Sequence, residues 1–375
     1  MKAQILSPTR KNLERVAEAL LREAVVGMPT ETVYGLAGNA RSAVALAKIF
    51  ATKERPTFDP LIIHVSPRMQ GIEVRNLEAL AALKIIDLSK VSASQKVVLE
   101  QLIQTFWPGP LTLLLPKHEQ IPDLATSGLP TVGVRMPAHP LAQALIECTG
   151  FPLAAPSANR FGRISPTTAQ AVAHELGDRI EFILEGGPCG IGVESTIVGL
   201  QPGSDEVQIL RPGGLAPEEI EKALGKPVHW KSSSSSPAAL EAPGMLESHY
   251  APLQPLMLLP KPVLELNHDD LHGIRQRLRE ISPDAPLAAL YLSGDPQVLN
   301  QKLGQLLNRI VLGRSLSTQG DLNEAAQHLF QSMREVEALQ TPVILAETCT
   351  IQTGLGFAIA DRLKRASAPR TAHNS

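Results

Sequence analysis

Ala51-Thr52-Lys53-Glu54-Arg55-Pro56-Thr57-Phe58-Asp59-Pro60-Leu61-Ile62-Ile63-His64 is the stretch whose reading decides how the first half of the chain folds. An apolar, helix-like run over Arg41–Thr52, with Val44, Leu46, Ala47 and Ile49 to bury, ends in two cations one residue apart and then stops at Pro56. After Pro60 the chain enters Leu61–Val65, an apolar run that reads as a buried strand and carries His64. Lys53 and Arg55 lie too close in sequence to share one face of a continuing helix. On a loop at the end of an element, both can point at one polyanion. The ordinary alternative is a solvated helix end, where cations are favoured by the dipole.

Working back toward the N-terminus, Thr9 can cap a helix through Glu23, with Leu13, Val16, Ala17, Leu20 and Leu21 as its apolar stripe. Val25-Val26-Gly27-Met28 then reads as a short buried strand. It breaks into Pro29-Thr30-Glu31-Thr32-Val33-Tyr34-Gly35-Leu36, a loop crowded with hydroxyls and glycine. Open α/β sheets bind ligands at such strand ends.

Working forward, residues 66–102 carry a helical pattern, with Leu77, Leu80, Leu83 and Ile86 on the apolar face, and read as a long crossover. Phe106-Trp107-Pro108-Gly109-Pro110 fixes a turn before the strand Leu111–Leu115, which includes Thr112. Thr131–Met136 is a strand carrying Arg135. A cation in an apolar strand needs a partner, either a structural carboxylate or an anionic ligand. A helix follows over His139–Cys148, then a short strand over Phe151–Ala155. The next loop holds Ser157, Asn159, Arg160, Arg163 and Ser165, more hydrogen-bonding groups than helix capping by Thr167 or Thr168 requires. Strands at Ile180–Leu184, Thr196–Leu200 and Val207–Leu210 follow, the last ending in Arg211-Pro212-Gly213-Gly214, and Pro217 opens a helix through Leu224. The Gly-rich turn between residues 185 and 196 lacks the Gly-Lys-Ser/Thr ending of a P-loop.

Composition shifts at Gly225. The unbroken serines Ser232–Ser236 read as a flexible linker. Met245, His249 and Tyr250 beyond them indicate a segment that docks. From Leu256 strands and helices alternate as a small doubly wound α/β unit. Its strands fall at Leu256–Leu259, Leu287–Leu292, Ile310–Leu312 and Val343–Ala346. Its helices fall at Leu271–Ile281, Gln297–Asn308, Leu322–Leu339 and Phe357–Lys364. Gly354-Leu355-Gly356 precedes the last helix, but Ile359 stands at the third fingerprint position, so a dinucleotide fold is rejected. Residues 367–375 are expected to be a disordered tail.

The 375 residues are 43% hydrophobic, enough for two domains rather than one. A net charge of −2 supplies no basic field for coating nucleic acid, and 3% aromatic residues leave few stacking platforms. Three scattered cysteines, with no metal-ligand spacing, suit a reducing compartment. Without a secretory h-region or a membrane-length apolar run, the chain is expected to be soluble and cytoplasmic.

Taken together, these pieces resemble the YrdC-type family of threonylcarbamoyl-AMP synthases in its long two-domain form. The matching motifs are Pro29–Leu36, Lys53-x-Arg55-Pro56, Phe106–Thr112, Val134–Pro137, Ala155–Asn159, Val193–Thr196 and Leu210–Gly213. Ala242–Met245 with His249–Pro252, and Gly354–Gly356 with Ala358–Leu363, match the long form. One departure is the segment 67–96, longer than usual and away from the motifs.

The resemblance implies a YrdC-like twisted open mixed sheet with flanking helices over 1–225. It further implies a linker over 226–254 that acts as an active-site lid, and a smaller Rossmann-like domain over 255–366. It implies synthesis of threonylcarbamoyl-AMP and pyrophosphate from L-threonine, bicarbonate or CO₂ and ATP, with Mg²⁺ accompanying the ATP. A separate transferase complex would pass the product to tRNA. By the same resemblance, Lys53 and Arg55 are the catalytic cations at the phosphates. ATP would be held by Arg55, Asp59, Thr112, Ser157, Asn159, Ser165, Arg211 and Tyr250, and threonine by Thr32, His64, Arg135, Ser157 and Thr196. It names no metal ligand and implies neither a membrane nor stable nucleic-acid binding. The competing expectation is a double-stranded RNA or nucleotide-binding module without synthase activity. The near-neutral charge disfavours it, because phosphate contacts need clustered cations.

Overall fold

A computed structural model describes residues 2–201, 203–230, 248–281 and 284–369. The serine run, the Ala242–Met245 motif and the expected tail from 370 onward lie outside the described residues. The chain forms two units. One holds the described residues up to Phe161 and from Ser165 to Trp230. The other holds Gly162–Ile164 and the described residues from Ser248 on.

In chain order, the strands of the first unit are β1 (Gln4–Leu6), β2 (Val26–Met28), β3 (Gly35–Asn39), β4 (Ile62–His64), β5 (Arg68–Met69), β6 (Ile72–Glu73), β7 (Leu111–Pro116), β8 (Thr131–Arg135), β9 (Leu153–Ala154), β10 (Phe182–Leu184), β11 (Thr196–Leu200), β12 (Val207–Arg211) and β13 (His229–Trp230). Eleven of them make one mixed sheet in the order β1-β10-β2-β3-β9-β4-β8-β7-β11-β12-β13, and β5 and β6 form a separate hairpin. Strands β2, β4 and β10 are buried throughout, which matches their unbroken apolar runs. The flanking helices start where the sequence places caps. The hydroxyls of Thr9, Ser42 and Thr168 accept from Asn12, Ala45 and Ala171 at the heads of Arg10–Leu21, Ala43–Lys53 and Ala169–Leu176.

Two expectations are corrected. The helical pattern over 66–102 is not one crossover helix. It divides into the β5–β6 hairpin and the helices Leu77–Ala82 and Ala93–Phe106. Asn76 caps the first of these helices and a Ser92–Gln95 capping box opens the second. Left-handed backbone at Gln70, Gly71 and Lys84 breaks the path between elements. The loop Pro29–Leu36 is also shorter than its motif. From Gly35 it becomes β3, antiparallel to β2, so the hydroxyl-rich residues sit in a tight connection.

The second unit is a parallel sheet of β14 (Leu256–Leu258), β15 (Leu287–Ser293), β16 (Val311–Ser317) and β17 (Ile344–Ala346), in the order β14-β17-β15-β16. Its helices, His268–Ile281, Pro296–Leu307, Leu322–Glu337 and Gly356–Ser367, alternate with the strands as expected. β16 runs five residues beyond its apolar start, because register with β15 extends as far as Ser293–Ser317.

Candidate active site

The helix Ala43–Lys53 ends at Lys53, and Glu54 turns the chain with a left-handed φ of 54°. That turn sends the two cations different ways. Lys53 is buried at 1% exposure, and its ammonium donates to the backbone carbonyls of Ser157 and Asn159. Burial, then the neighbouring charge of Arg55, holds Lys53 well below the usual lysine range. Arg55 turns onto its own loop. Its Nη2 meets Asp59 Oδ2 at 2.9 Å and the Pro60 carbonyl at 2.8 Å, and its Nε donates to the Asp59 carbonyl at 3.1 Å. Asp59 thus anchors Arg55, and Lys53 pins the loop that carries Ser157 and Asn159.

That loop is further set by backbone pairing. Gly35 bridges Ser157, the Leu36 amide donates to the Pro156 carbonyl, and the Ala158 amide donates to the Tyr34 carbonyl. The Pro29–Leu36 and Ala155–Asn159 motifs are therefore one object, stitched together across 120 residues of sequence. Asn159 Nδ2 donates to the Arg160 carbonyl at 2.7 Å, and Ser165 Oγ donates to Glu194 Oε1 at 2.6 Å.

A second group is set by strand register. His64 on β4 lies opposite Arg135 on β8, Arg135 opposite Thr112 on β7, Thr112 opposite Ile197 on β11, and Ile197 opposite Arg211 on β12. Residues in one such row share a face of the sheet. Four of the sequence-derived positions thus stand in line, all buried. Arg135 fans out from the row: Nη1 donates to Thr32 Oγ1 at 2.8 Å, Nη2 to Glu31 Oε1 at 2.6 Å and Nε to the Gly109 carbonyl at 3.3 Å. Its carboxylate partner is Glu31. His64 is held neutral. Burial, then the adjacent Arg135, lowers it to about 3, and Nδ1 lies 3.2 Å from the Ile62 carbonyl.

Thr112 Oγ1 lies 2.7 Å from Ser195 Oγ, and Arg211 Nη2 donates to the Ser195 carbonyl at 2.8 Å and to its hydroxyl at 3.3 Å. Thr196 is otherwise employed. Its hydroxyl donates to the Leu215 carbonyl at 2.6 Å and accepts from the Leu215 amide at 3.0 Å, tying down the Arg211–Gly214 turn. That turn needs Gly213, since a Cβ there would lie 2.3 Å from the Glu194 carbonyl oxygen.

Thr32, Lys53, Arg55, Asp59, His64, Thr112, Arg135, Ser157, Asn159, Ser165, Thr196 and Arg211 all belong to the first unit. Tyr250 belongs to the second, with its ring 5.4 Å from Phe330 and the Arg362 guanidinium 5.0 Å from its centre. Glu31, Glu194 and Ser195 are polar partners that residue-by-residue reading passed over. All three lie inside the quoted motifs, and that is the signal by which they could have been found.

Residues 18–213 match the family model Sua5_yciO_yrdC, described as "Telomere recombination", and residues 215–368 match the threonylcarbamoyl-AMP synthase C-terminal domain. The threonylcarbamoyl-AMP synthase of Bacillus subtilis is 38% identical over 361 residues, covering 94% of this chain and 92% of the relative. The chain belongs to this family. The namesake synthase of Pyrococcus abyssi is also 38% identical, over 95% of this chain and 94% of its own length. A crystal structure of P. abyssi Sua5 complexed with L-threonine superposes with a TM-score of 0.79 at 34% identity, covering 97% of this chain and 98% of that one. The two family models meet at residues 213–215, a point that lies inside the first unit.

Proposed function

We infer that this chain is an L-threonylcarbamoyladenylate synthase, an AMP-transferring enzyme that serves tRNA modification. The observation that carries the reading is full-length identity of 38% with enzymes so named, across both family segments. In this reading the threonine amine attacks bicarbonate or CO₂, and the resulting carbamate attacks the α-phosphate of ATP, releasing pyrophosphate. The product would pass to a separate tRNA transferase complex.

The chemistry asks the protein to position reactants and offset charge rather than to supply a nucleophile. The hydroxyls fit that demand. Ser165 is bonded to Glu194 and Ser195 to Thr112, neither to a histidine base. Arg55 and Arg211 would meet the nucleotide with Asp59, Thr112, Ser157, Asn159 and Ser165. Thr32, His64, Arg135, Ser157 and Thr196 would meet threonine. Lys53, spent on two backbone carbonyls, would act chiefly by holding the Ser157–Asn159 loop in place.

The described residues hold no cluster of three or more His, Cys, Asp or Glu side chains suited to a metal. By the family resemblance, a Mg²⁺ ion would accompany the ATP. When bound, Mg²⁺ would neutralise phosphate charge. Residues 226–254 would serve as a lid that keeps water from the mixed anhydride. A chain ending at Gly225 would then fold and make product poorly, and wild-type yield from it would remove the lid from the scheme.

Pyrophosphate release is the deciding assay, run with and without L-threonine and bicarbonate on the wild type, Lys53→Ala and Arg55→Ala. Release that needs both co-substrates and collapses in both variants is expected. Turnover indifferent to threonine would refute the reading and turn attention to RNA binding.

A further inference from the structure

The buried Arg135 and the partly buried Glu31 form an ion pair that is only half used. Glu31 Oε1 takes the guanidinium at 2.6 Å, whereas Oε2 is buried and has no hydrogen-bond partner among the described residues. Arg135 is 4% exposed and Glu31 15% by side chain, so neither is a surface group free to wave in water. A carboxylate oxygen shut away without a donor is a destabilising arrangement that a ligand can relieve.

His64, next to Arg135 in the row, is neutral, and the hydroxyls of Thr32 and Thr30, 2.9 Å apart, lie beside the pair. The Cys189 thiol, which feels both Glu31 and Arg135, is pushed up by burial and stays uncharged. One cation and one anion therefore stand side by side, next to a neutral imidazole and a neutral thiol. A simple carboxylate binding Arg135 would bring a second anion beside Glu31, and like charges at that range repel strongly in a buried site. A zwitterion brings its own compensation, with its carboxylate to the guanidinium and its ammonium to Glu31.

We propose that Glu31 is a substrate-binding residue whose Oε2 receives the α-ammonium of the amino-acid substrate while Arg135 takes its carboxylate. The inference rests on the threonine reading above and deepens it. Glu31 selects α-amino acids over acids that lack the amine and holds the ammonium at a fixed place.

The test compares L-threonine with (R)-3-hydroxybutanoate, the same skeleton without the amine. Binding is measured calorimetrically to the full chain for the wild type, Glu31→Gln, Glu31→Ala and Glu31→Asp, each checked by thermal melting. ATP affinity is measured alongside. In the wild type, L-threonine should bind at least about tenfold more tightly than the hydroxy acid, the worth of one charge-assisted contact. In Glu31→Gln and Glu31→Ala that preference should collapse toward unity with ATP affinity unchanged, and Glu31→Asp should restore part of it. A purely structural Glu31 would weaken both ligands alike and leave the preference intact, which overturns the proposal. So does tighter threonine binding by Glu31→Gln, which would make Glu31 a place-holder for the substrate carboxylate. If the wild type ignores threonine, the functional reading has failed and this inference falls with it. If the wild type binds threonine but the preference survives in the variants, only the inference has failed. Should Glu31→Gln not fold, the Glu31→Asp and Glu31→Ala pair carries the same comparison.

Discussion

Replacing Arg135 with lysine preserves the charge and removes the fork. Arg135 spends each of its three nitrogens on a different acceptor: Gly109 O, Thr32 Oγ1 and Glu31 Oε1. A lysine ammonium offers three protons from a single atom on a shorter reach, so it cannot span acceptors arrayed along a guanidinium. At least one buried acceptor is then left unmet, which lowers stability by about 1–3 kcal/mol. The substrate loses more specifically. On the proposed assignment of Arg135 to the amino-acid carboxylate, a two-pronged contact would become a single one, and one charge-assisted hydrogen bond contributes about 1.5–3 kcal/mol. That converts to a rise in the KM for L-threonine of roughly 10- to 150-fold. Asp59, Arg55 and Arg211 are untouched, so the KM for ATP should move less than about threefold. Steady-state pyrophosphate release, with threonine varied at saturating ATP and then the reverse, reads both constants. An unchanged threonine KM in Arg135→Lys, or equal losses for the two substrates, would refute the assignment of Arg135 to the amino acid.

Other perturbations follow from the same geometry. Gly213→Ala drives a Cβ into the Glu194 backbone at 2.3 Å and should cost about 3 kcal/mol, read as a lowered melting temperature; an unshifted melt would count against the close approach. His64 carries a pH signature. Its folded value near 3 lies below the ordinary 6.5, so the unfolded chain takes the proton first, and stability falls as pH drops from about 6.5 toward 3. The loss is on the order of 5 kcal/mol, and His64→Gln should flatten that share of the denaturation-versus-pH curve; parallel curves for the two proteins would contradict it. In the second unit, Arg163 Nη2 grips both oxygens of Glu337, at 2.8 and 3.0 Å, and the Leu253 amide also donates to Glu337. Arg163→Ala should destabilise that unit by about 3–5 kcal/mol in urea unfolding, and a change under about 1 kcal/mol would show the pair to be dispensable.

Much of this molecule is local and was legible one segment at a time. Hydroxyl caps at Thr9 and Thr168, proline at the head of Pro217–Leu224 and apolar runs such as Thr196–Leu200 act within a few residues, so their elements stand close to where the pattern places them. The motifs stand out for the same reason: unusual side chains sit at strand ends, where the chain turns. In segment 66–102 a helical apolar period survives interruption by a hairpin and two caps, and periodicity alone does not see the breaks at Gln70 and Lys84.

What the tertiary structure decided is who meets whom. No spacing in the sequence pairs His64 with Arg135, Arg135 with Thr112 or Ile197 with Arg211; strand order and register do. Lys53 and Arg55, adjacent motif cations, part company because the left-handed turn at Glu54 aims one at the Ser157–Asn159 carbonyls and the other at Asp59. Glu31 gained its meaning only once Arg135 arrived beside it from 104 residues away. Residue chemistry is a local property and can be read along the chain. Charge pairing depends on distances across the sheet, and those are set by how non-neighbouring strands hydrogen-bond.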